Sequence, residues 1–242
     1  MDTKELLQRY KANERNFNQA DLSGINLLGA DLIKINFSGS NLSQADLRET
    51  RLGQANLNKT NFNKANLSES LLWGSDLTQA NLSEAELREA DLSGANMMEA
   101  NLQLANLIKA SLNGTNLYKA NLSGAILFDA DLRPSSDRQT DLGYAILIGA
   151  NLSYTHLNGV ILRGANLDNT KLCRSILGGR GLSDFPQTDL REASLRGADL
   201  SYADLSSVLL QKADLRGADL THAILHDTDL QGAIMPDGNI HD

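Results

Sequence analysis

The chain has 242 residues, of which 41% are hydrophobic and only 5% aromatic, and it carries a net charge of −8. This acidic excess argues against direct binding of nucleic acid, because contact with phosphates needs clustered Lys and Arg. The single cysteine, Cys173, excludes an intrachain disulfide, and no apolar run reaches the roughly 18 residues of a membrane span. We expect a soluble, cytoplasmic protein.

The N-terminal segment, residues 1–14, has Leu6, Leu7 and Tyr10 at helical spacing. An open end of β-structure exposes unpaired backbone groups that favour aggregation, and repeat proteins need capping segments at their ends. We therefore interpret 1–14 as a helical cap. The segment is charged and lacks the apolar region of a secretory signal.

A five-residue repeat follows and dominates the chain. From Phe17 onward, Leu or Phe occupies every fifth position, and a small residue usually stands two positions before it. A period of five fits neither a helix nor a single strand. The apolar side chains converge only if the chain turns a corner after every five residues, with Gly, Asn, Asp and Ser suited to the corners. Four sides then close a coil of about twenty residues.

The repeat centres run in steps of five from 17 to 177 and from 185 to 235, which makes 44 units and predicts about eleven coils over residues 15–235. The unit A(D/N)LSG resembles the motif of the pentapeptide-repeat family. The resemblance implies an all-β fold, a right-handed quadrilateral parallel β-helix. The helical cap precedes it, and residues 236–242 form a C-terminal tail.

Two interruptions of the repeat predict loops near 133–140 and 178–184. Asp137 falls where a core leucine is expected, and burying a lone carboxylate is costly. The second interruption shifts the register by three, from Leu177 to Phe185. Loops on rigid scaffolds often carry binding, although solenoids also tolerate neutral insertions. The first loop makes Arg133, Asp137 and Arg138 candidate contact residues.

Outward apolar residues indicate a second candidate surface. If residues twenty apart stack, one face of three successive coils carries a contiguous apolar patch, with Tyr144 beside it. Exposed apolar patches tend to mark interaction sites. The alternative is that β-branched residues only stabilise the stacked strands. The residues of this predicted patch are Ile108, Ile126, Phe128, Ile146 and Ile148.

The sequence offers no support for catalysis. His222 and His226 are four residues apart, a spacing typical of zinc ligands only on a helix. Cys173 has no base beside it, as a thiol nucleophile requires. An interior filled with Leu and Ala leaves no pocket for a small molecule. We therefore expect no catalytic residue, no cofactor and no metal.

The segments Leu132–Tyr144 and Gly232–Asp242 lie outside the repeat and resemble those of family members that regulate heterocyst differentiation in cyanobacteria. This resemblance implies a protein partner, either the master transcriptional regulator of that pathway or another pathway protein. From the acidic charge and the lack of a long apolar run, we expect no direct contact with nucleic acid or membrane, and we expect a monomer.

DNA mimicry directed at DNA gyrase, as in some family members, is the alternative function. Acidic residues in the last third of the chain favour it, whereas nearby basic residues offset their charge. The acidic residues are Asp189, Asp199, Asp204, Asp214, Asp219 and Asp229, and the basic ones are Arg191, Arg196, Lys212 and Arg216.

Overall fold

The computed structural model describes residues 1–179 and 186–242. Most of the loop predicted near 178–184, and Phe185 as a core centre, therefore lie outside the described residues. One helix, α1 (Thr3–Lys11), opens the chain, as the spacing of its apolar residues predicted. Within the described ranges, no helix is both long enough and apolar enough to cross a membrane.

The rest of the fold is a repeat β-helix built from isolated parallel bridges, each joining a residue to the one a coil later. At the C-terminal end the chain folds back, and Ile240 forms an antiparallel bridge with Ile234. The parallel bridges form four ladders, which we name A, B, C and D after their first members, Asn16, Asp21, Asn26 and Asp31. Asn16 pairs with Asn36, twenty residues later, and the other three ladders begin in the same way. The chain passes through A, B, C and D in turn, so the ladders form four walls.

The core follows from the side-chain alternation along each wall. Ala125 and Leu127 point inward and are fully buried, while Ile126 between them points outward. Burying each such leucine contributes about 2 kcal/mol before chain entropy is counted. Where a hydroxyl replaces the inward alanine, it finds a carbonyl: Thr60 Oγ1 donates to Phe37 O at 2.8 Å. The interior is thus apolar, and the buried hydroxyls that stand at the alanine position donate to main-chain carbonyls.

The corners are left-handed, and the residues that occupy them are more varied than turn preferences predicted. Lys34, Glu49 and Tyr154 have φ values of 62°, 57° and 62°, a region that side chains other than glycine adopt at some cost. Each coil offsets this cost, because the corner N–H donates to the next coil, as Glu49 N does to Ser68 O at 3.0 Å. The hydrogen bonding of the stack therefore sets the corner geometry.

Two insertions interrupt the repeat at the corner between ladders D and A. Asn116 pairs with Asp141, so the first insertion lengthens one coil from twenty to 25 residues. Ile161 pairs with Asp189, a separation of 28 residues. All four ladders continue beyond both insertions. The segment 133–140 leaves the wall with Asp137 exposed, as the cost of burying its carboxylate predicted.

A buried threonine returns the chain to the wall after each insertion. Thr140 Oγ1 accepts a hydrogen bond from Gly114 N at 2.8 Å. Thr188 Oγ1 accepts one from Gly159 N at 2.9 Å. Both threonines stand two residues before a core leucine, where the repeat normally has alanine. The same hydroxyl device therefore anchors both insertions to a glycine in an earlier coil.

Helix α1 covers the N-terminal end of the β-helix. Asp2 caps it by accepting a hydrogen bond from Glu5 N at 2.8 Å, and Leu6 is completely buried against the first coil. Thr3 Oγ1 donates to Asn26 O at 2.8 Å, and the Tyr10 hydroxyl donates to Ile33 O at 2.9 Å. The cap therefore buries apolar surface and satisfies carbonyls that have no preceding coil.

Candidate protein-binding surface

The first insertion changes which outward residues share a wall. Ile126 pairs with Asn151 in ladder C, whereas Ile146 pairs with Asn121 in ladder B. The expectation that Ile126 and Ile146 stack on one face is therefore wrong. It assumed a constant step of twenty residues, but the step is 25 across the loop at 133–140.

The apolar residues nevertheless lie on adjoining walls of neighbouring coils. Ile126 is on ladder C, and Ile146 is on ladder B one coil later, with Ile148 at the corner between the two ladders. Leu104, which sequence reasoning missed, lies at that corner one coil before Ile126, and a Cβ on Gly124 would be 2.7 Å from its Cδ2. Leu104 is 58% exposed. Its exposure could have been predicted from the sequence, because it is a large apolar residue at a corner position.

Phe128 and Ile108 extend this surface to the corner between ladders C and D. They occupy equivalent positions in successive coils, and Ile108 is only partly exposed. Phe128 packs on Tyr154 of the next coil with ring centroids 5.3 Å apart. We define the apolar patch as the exposed side chains that wrap around ladders B and C: Leu104, Ile126, Phe128, Ile146, Ile148 and Tyr154.

The ring contact begins a longer column that continues along the same corner. Arg174 lies over Tyr154 at 6.0 Å and over Tyr202 at 5.1 Å, and Tyr202 stacks on His222 at 4.8 Å. Stacked rings and a guanidinium thus follow one another from coil to coil. The column was not predicted, because the second insertion obscures which residues align.

Tyr144 lies apart from the apolar patch, at the corner between ladders A and B. It packs edge-on against Tyr118 with centroids 5.8 Å apart and covers Gly164, where a Cβ would be 2.7 Å from its ring. Half of Tyr144 remains exposed, at 51%. The residue therefore stands between the first loop and Ile146 around the rod.

The first loop lies at the corner between ladders D and A, one wall away from Phe128. Its Arg133 is held by Asp131, with Nη2–Oδ2 at 2.6 Å and Nε–Oδ1 at 2.9 Å. Burial would raise the pKa of Asp131, but the Arg133 guanidinium holds that pKa below its usual value. Asp137 and Arg138 are exposed. The predicted contact residues thus encircle the rod, and the structure does not bring them onto one face.

Ion pairs neutralise part of the acidic C-terminal third. Asp214 is bound by Arg216 at 2.6 Å and by Arg196 at 2.7 Å, and these hydrogen bonds hold the pKa of Asp214 well below its usual range. Asp189 is bound by Arg191 at 2.7 Å. The carboxylates proposed for DNA mimicry are therefore partly occupied by arginines.

The cysteine and the histidines considered as candidates for catalysis or metal binding lie apart from one another. Cys173 is partly exposed at one corner, His222 stacks on Tyr202, and His226 lies 3.0 Å from Asp227. In residues 1–179 and 186–242, His, Cys, Asp and Glu nowhere form a group of three that could hold a metal ion.

Comparison with known proteins places the repeat in a family. A family model described as pentapeptide repeats, in eight copies, matches residues 16–47, 35–74, 65–103, 95–133, 139–179, 183–211 and 198–235. None of the curated proteins compared matches at a significant level.

Among solved structures, HetL of the cyanobacterium Nostoc sp. strain PCC 7120 is 54% identical over 100% of both chains, with a TM-score of 0.85. HetL is a pentapeptide repeat protein involved in heterocyst differentiation regulation. The pentapeptide repeat protein Rfr23 of Cyanothece 51142 is 28% identical over 50% of this chain and 92% of its own, with a TM-score of 0.40. QnrB1, a plasmid-mediated fluoroquinolone resistance protein, is 17% identical over 88% and 89%, with a TM-score of 0.32.

Proposed function

Because this chain belongs to the pentapeptide-repeat family, we propose that it is a non-enzymatic protein-interaction module that regulates heterocyst differentiation in a cyanobacterium. The observation that carries the proposal is the 54% identity to HetL across the whole of both chains. The partner we propose is the master transcriptional regulator of that pathway or another of its proteins.

The scaffold we propose is a cytoplasmic monomer, with residues 15–235 forming a right-handed rod of about eleven coils. Ladder A, with eleven members from Asn16 to Asp229, supports this length. At a strand spacing of about 4.8 Å, such a rod is roughly 50 Å long. Its described interior is filled mainly by Leu and Ala, with a few Phe, Ile, Val, Met and small hydroxyl side chains, which supports a binding role for the outer surface rather than chemistry inside.

The apolar patch is the contact surface we propose. Ile126, Ile146 and Ile148 are 39%, 41% and 41% exposed, at positions that the repeat mostly gives to polar residues. Exposed apolar side chains grouped on adjoining walls mark a site whose burial by a partner is favourable. Arg133 is engaged by Asp131, and Asp137 accepts hydrogen bonds from the Ser135 and Ser136 hydroxyls at 3.2 and 3.1 Å. The exposed Arg138 guanidinium, one wall beyond the apolar patch, has no partner among the described residues.

Two of the carboxylates on which DNA mimicry would depend are already engaged by arginines. Asp189 and Asp214 are paired with arginines, which reduces the negative charge that a phosphate-like surface needs. A supercoiling assay with excess protein should therefore show no change in gyrase activity.

The regulatory proposal is tested by expressing HetL and this chain in parallel in Nostoc sp. strain PCC 7120 and counting heterocysts. We expect this chain to change heterocyst frequency in the same direction as HetL. Folded protein that accumulates to the level of HetL without that change would refute the proposal.

The contact surface is tested by a triple variant, Ile126→Thr, Phe128→Ser and Ile146→Thr, which should abolish the effect without unfolding the rod. The matched control is Leu71→Thr, Leu28→Ser and Ile224→Thr, which alters exposed apolar residues at the same repeat positions far from the apolar patch. If both triple variants fold and behave alike, the apolar patch is not the contact surface.

A further inference from the structure

Helix α1 leaves a groove of about 660 Å³ where it crosses the first coil of the rod. The floor is apolar and consists of Leu7, Tyr10, Ala30 and Ile33. Leu7, Tyr10 and Ile33 are only partly buried, so the helix does not close the end of the rod on this side. The floor therefore offers apolar surface to a ligand.

The rim of this groove is basic, although the whole protein is acidic. Lys11, Arg15 and Lys34 line it, and within the described ranges no carboxylate lies within 4.0 Å of their charged nitrogens. The rim also contains Asp31, which is engaged by Arg51 at 3.1 Å. The rim thus presents three uncompensated positive charges.

Arg15, which lines the groove, is held in place by the cap. Its guanidinium lies 3.8 Å from the centroid of the Tyr10 ring, and Nη1 donates to the carbonyls of Tyr10 and Glu14 at 2.8 and 3.0 Å. Its other nitrogens have no acceptor in the part of the chain that the structure describes. Holding the side chain in this way lowers the entropy cost of binding an anion.

The groove also contains an open edge of β-structure. Asp31 is the first member of ladder D, and its main-chain N–H and C=O have no partner among residues 1–179 and 186–242. The cap donates hydrogen bonds to Asn26 O and Ile33 O on either side but makes none with the main-chain N–H and C=O of Asp31. An extended peptide can pair with such an edge as an added strand.

We propose that this groove, which we name the cap groove, binds an extended segment of a partner protein in which acidic and apolar residues alternate. The segment pairs with Asp31 as one more rung of ladder D. Its apolar side chains cover Leu7 and Ile33, and its carboxylates meet Lys11 and Lys34. The apolar patch lies about five coils away, or roughly 24 Å. Binding at the cap groove can therefore be tested independently of the function proposed for the apolar patch.

The experiment uses the full chain and a fluorescein-labelled peptide, Glu-Val-Asp-Leu-Glu-Val-Asp, followed by fluorescence anisotropy. We expect saturable binding that weakens as salt is raised, because the rim charges are exposed. A peptide with Lys in place of each acidic residue should not bind. A peptide N-methylated along its backbone should also fail, because it cannot pair with the edge. Failure of the acidic peptide to bind, or equal binding of the Lys or N-methylated peptide, overturns the proposal.

The variant that tests the location is Lys11→Glu with Lys34→Glu, which should weaken binding of the acidic peptide at least about fivefold. The matched control is Lys59→Glu, since Lys59 is an exposed corner lysine with φ of 55°, close to the 62° of Lys34. Equal loss of binding in both variants would assign the binding to general charge. No loss in either would place the binding away from the cap groove. Either result overturns the proposal. Thermal unfolding of each variant confirms that the rod is intact before binding is compared.

A second outcome concerns the identity of the occupant. If sedimentation shows that the protein dimerises, and deletion of residues 239–242 abolishes both the dimer and competition with the peptide, the occupant is the tail of a second copy. That result would overturn the assignment to a partner protein.

Discussion

The two threonines that anchor the insertions are chemically equivalent, but their loss should have unequal effects. Thr140→Val and Thr188→Val both keep the side-chain shape and remove a buried hydroxyl. Without the Thr140 hydroxyl, Gly114 N retains Arg133 O as an acceptor at 3.2 Å. Without the Thr188 hydroxyl, Gly159 N has no second acceptor among the described residues.

The difference sets the expected magnitudes. Leaving a buried N–H without a partner costs about 1–3 kcal/mol, whereas losing one hydrogen bond whose donor keeps another acceptor costs about 0.5–1 kcal/mol. We therefore expect Thr188→Val to lower the free energy of unfolding by about 1 kcal/mol more than Thr140→Val does.

Guanidinium unfolding followed by circular dichroism measures the global effect, and amide hydrogen exchange measures the local one. Exchange at Gly159 should accelerate roughly tenfold in Thr188→Val, because about 1.4 kcal/mol of local protection corresponds to a factor of ten. Exchange at Gly114 should change less in Thr140→Val. Equal destabilisation by the two variants, or a larger effect of Thr140→Val, would refute the reasoning.

Two further predictions concern close contacts and charge. Gly178→Ala should destabilise the rod by about 1–3 kcal/mol, because its Cβ would lie 2.2–2.9 Å from backbone atoms of the next coil. Gly53→Ala, whose Cβ would meet only a partly exposed indole ring, should cost less in the same unfolding assay. Asp214→Asn should be less stable than the wild type at pH 7, because the native pKa of Asp214 is depressed. That difference should shrink as pH falls below about 4, where the unfolded carboxyl binds protons first, and a pH-independent difference in unfolding free energy would contradict the ion-pair explanation.

Much of the scaffold follows from local rules that the sequence displays. A five-residue period brings the apolar side chains together only if the chain turns after every repeat, so the burial of Leu127 and Ala125 could be predicted without coordinates. The exposure of Asp137 followed from the cost of burying a charge. The N-terminal helix was equally readable, because Leu6, Leu7 and Tyr10 repeat at helical spacing.

The surface was less predictable because it depends on the length of every coil. One insertion of five residues moves Ile146 from ladder C to ladder B, so the stacking of outward residues was wrong beyond the loop, although their exposure was predicted correctly. The column through Tyr154 and Tyr202 is hidden by the second insertion in the same way. The cap groove depends on how α1 is seated, which the pattern of apolar residues does not determine.

The left-handed corners have a consequence for how such a surface can change. The hydrogen bonds of the stack impose the same backbone geometry on Lys34, Leu104 and Tyr154. The fold therefore depends little on which residue occupies a corner. Each corner is therefore a surface position that can be substituted independently, and successive positions along a corner are about 4.8 Å apart. Single substitutions at the corners can change which partner the surface binds, while the β-helix itself stays unchanged.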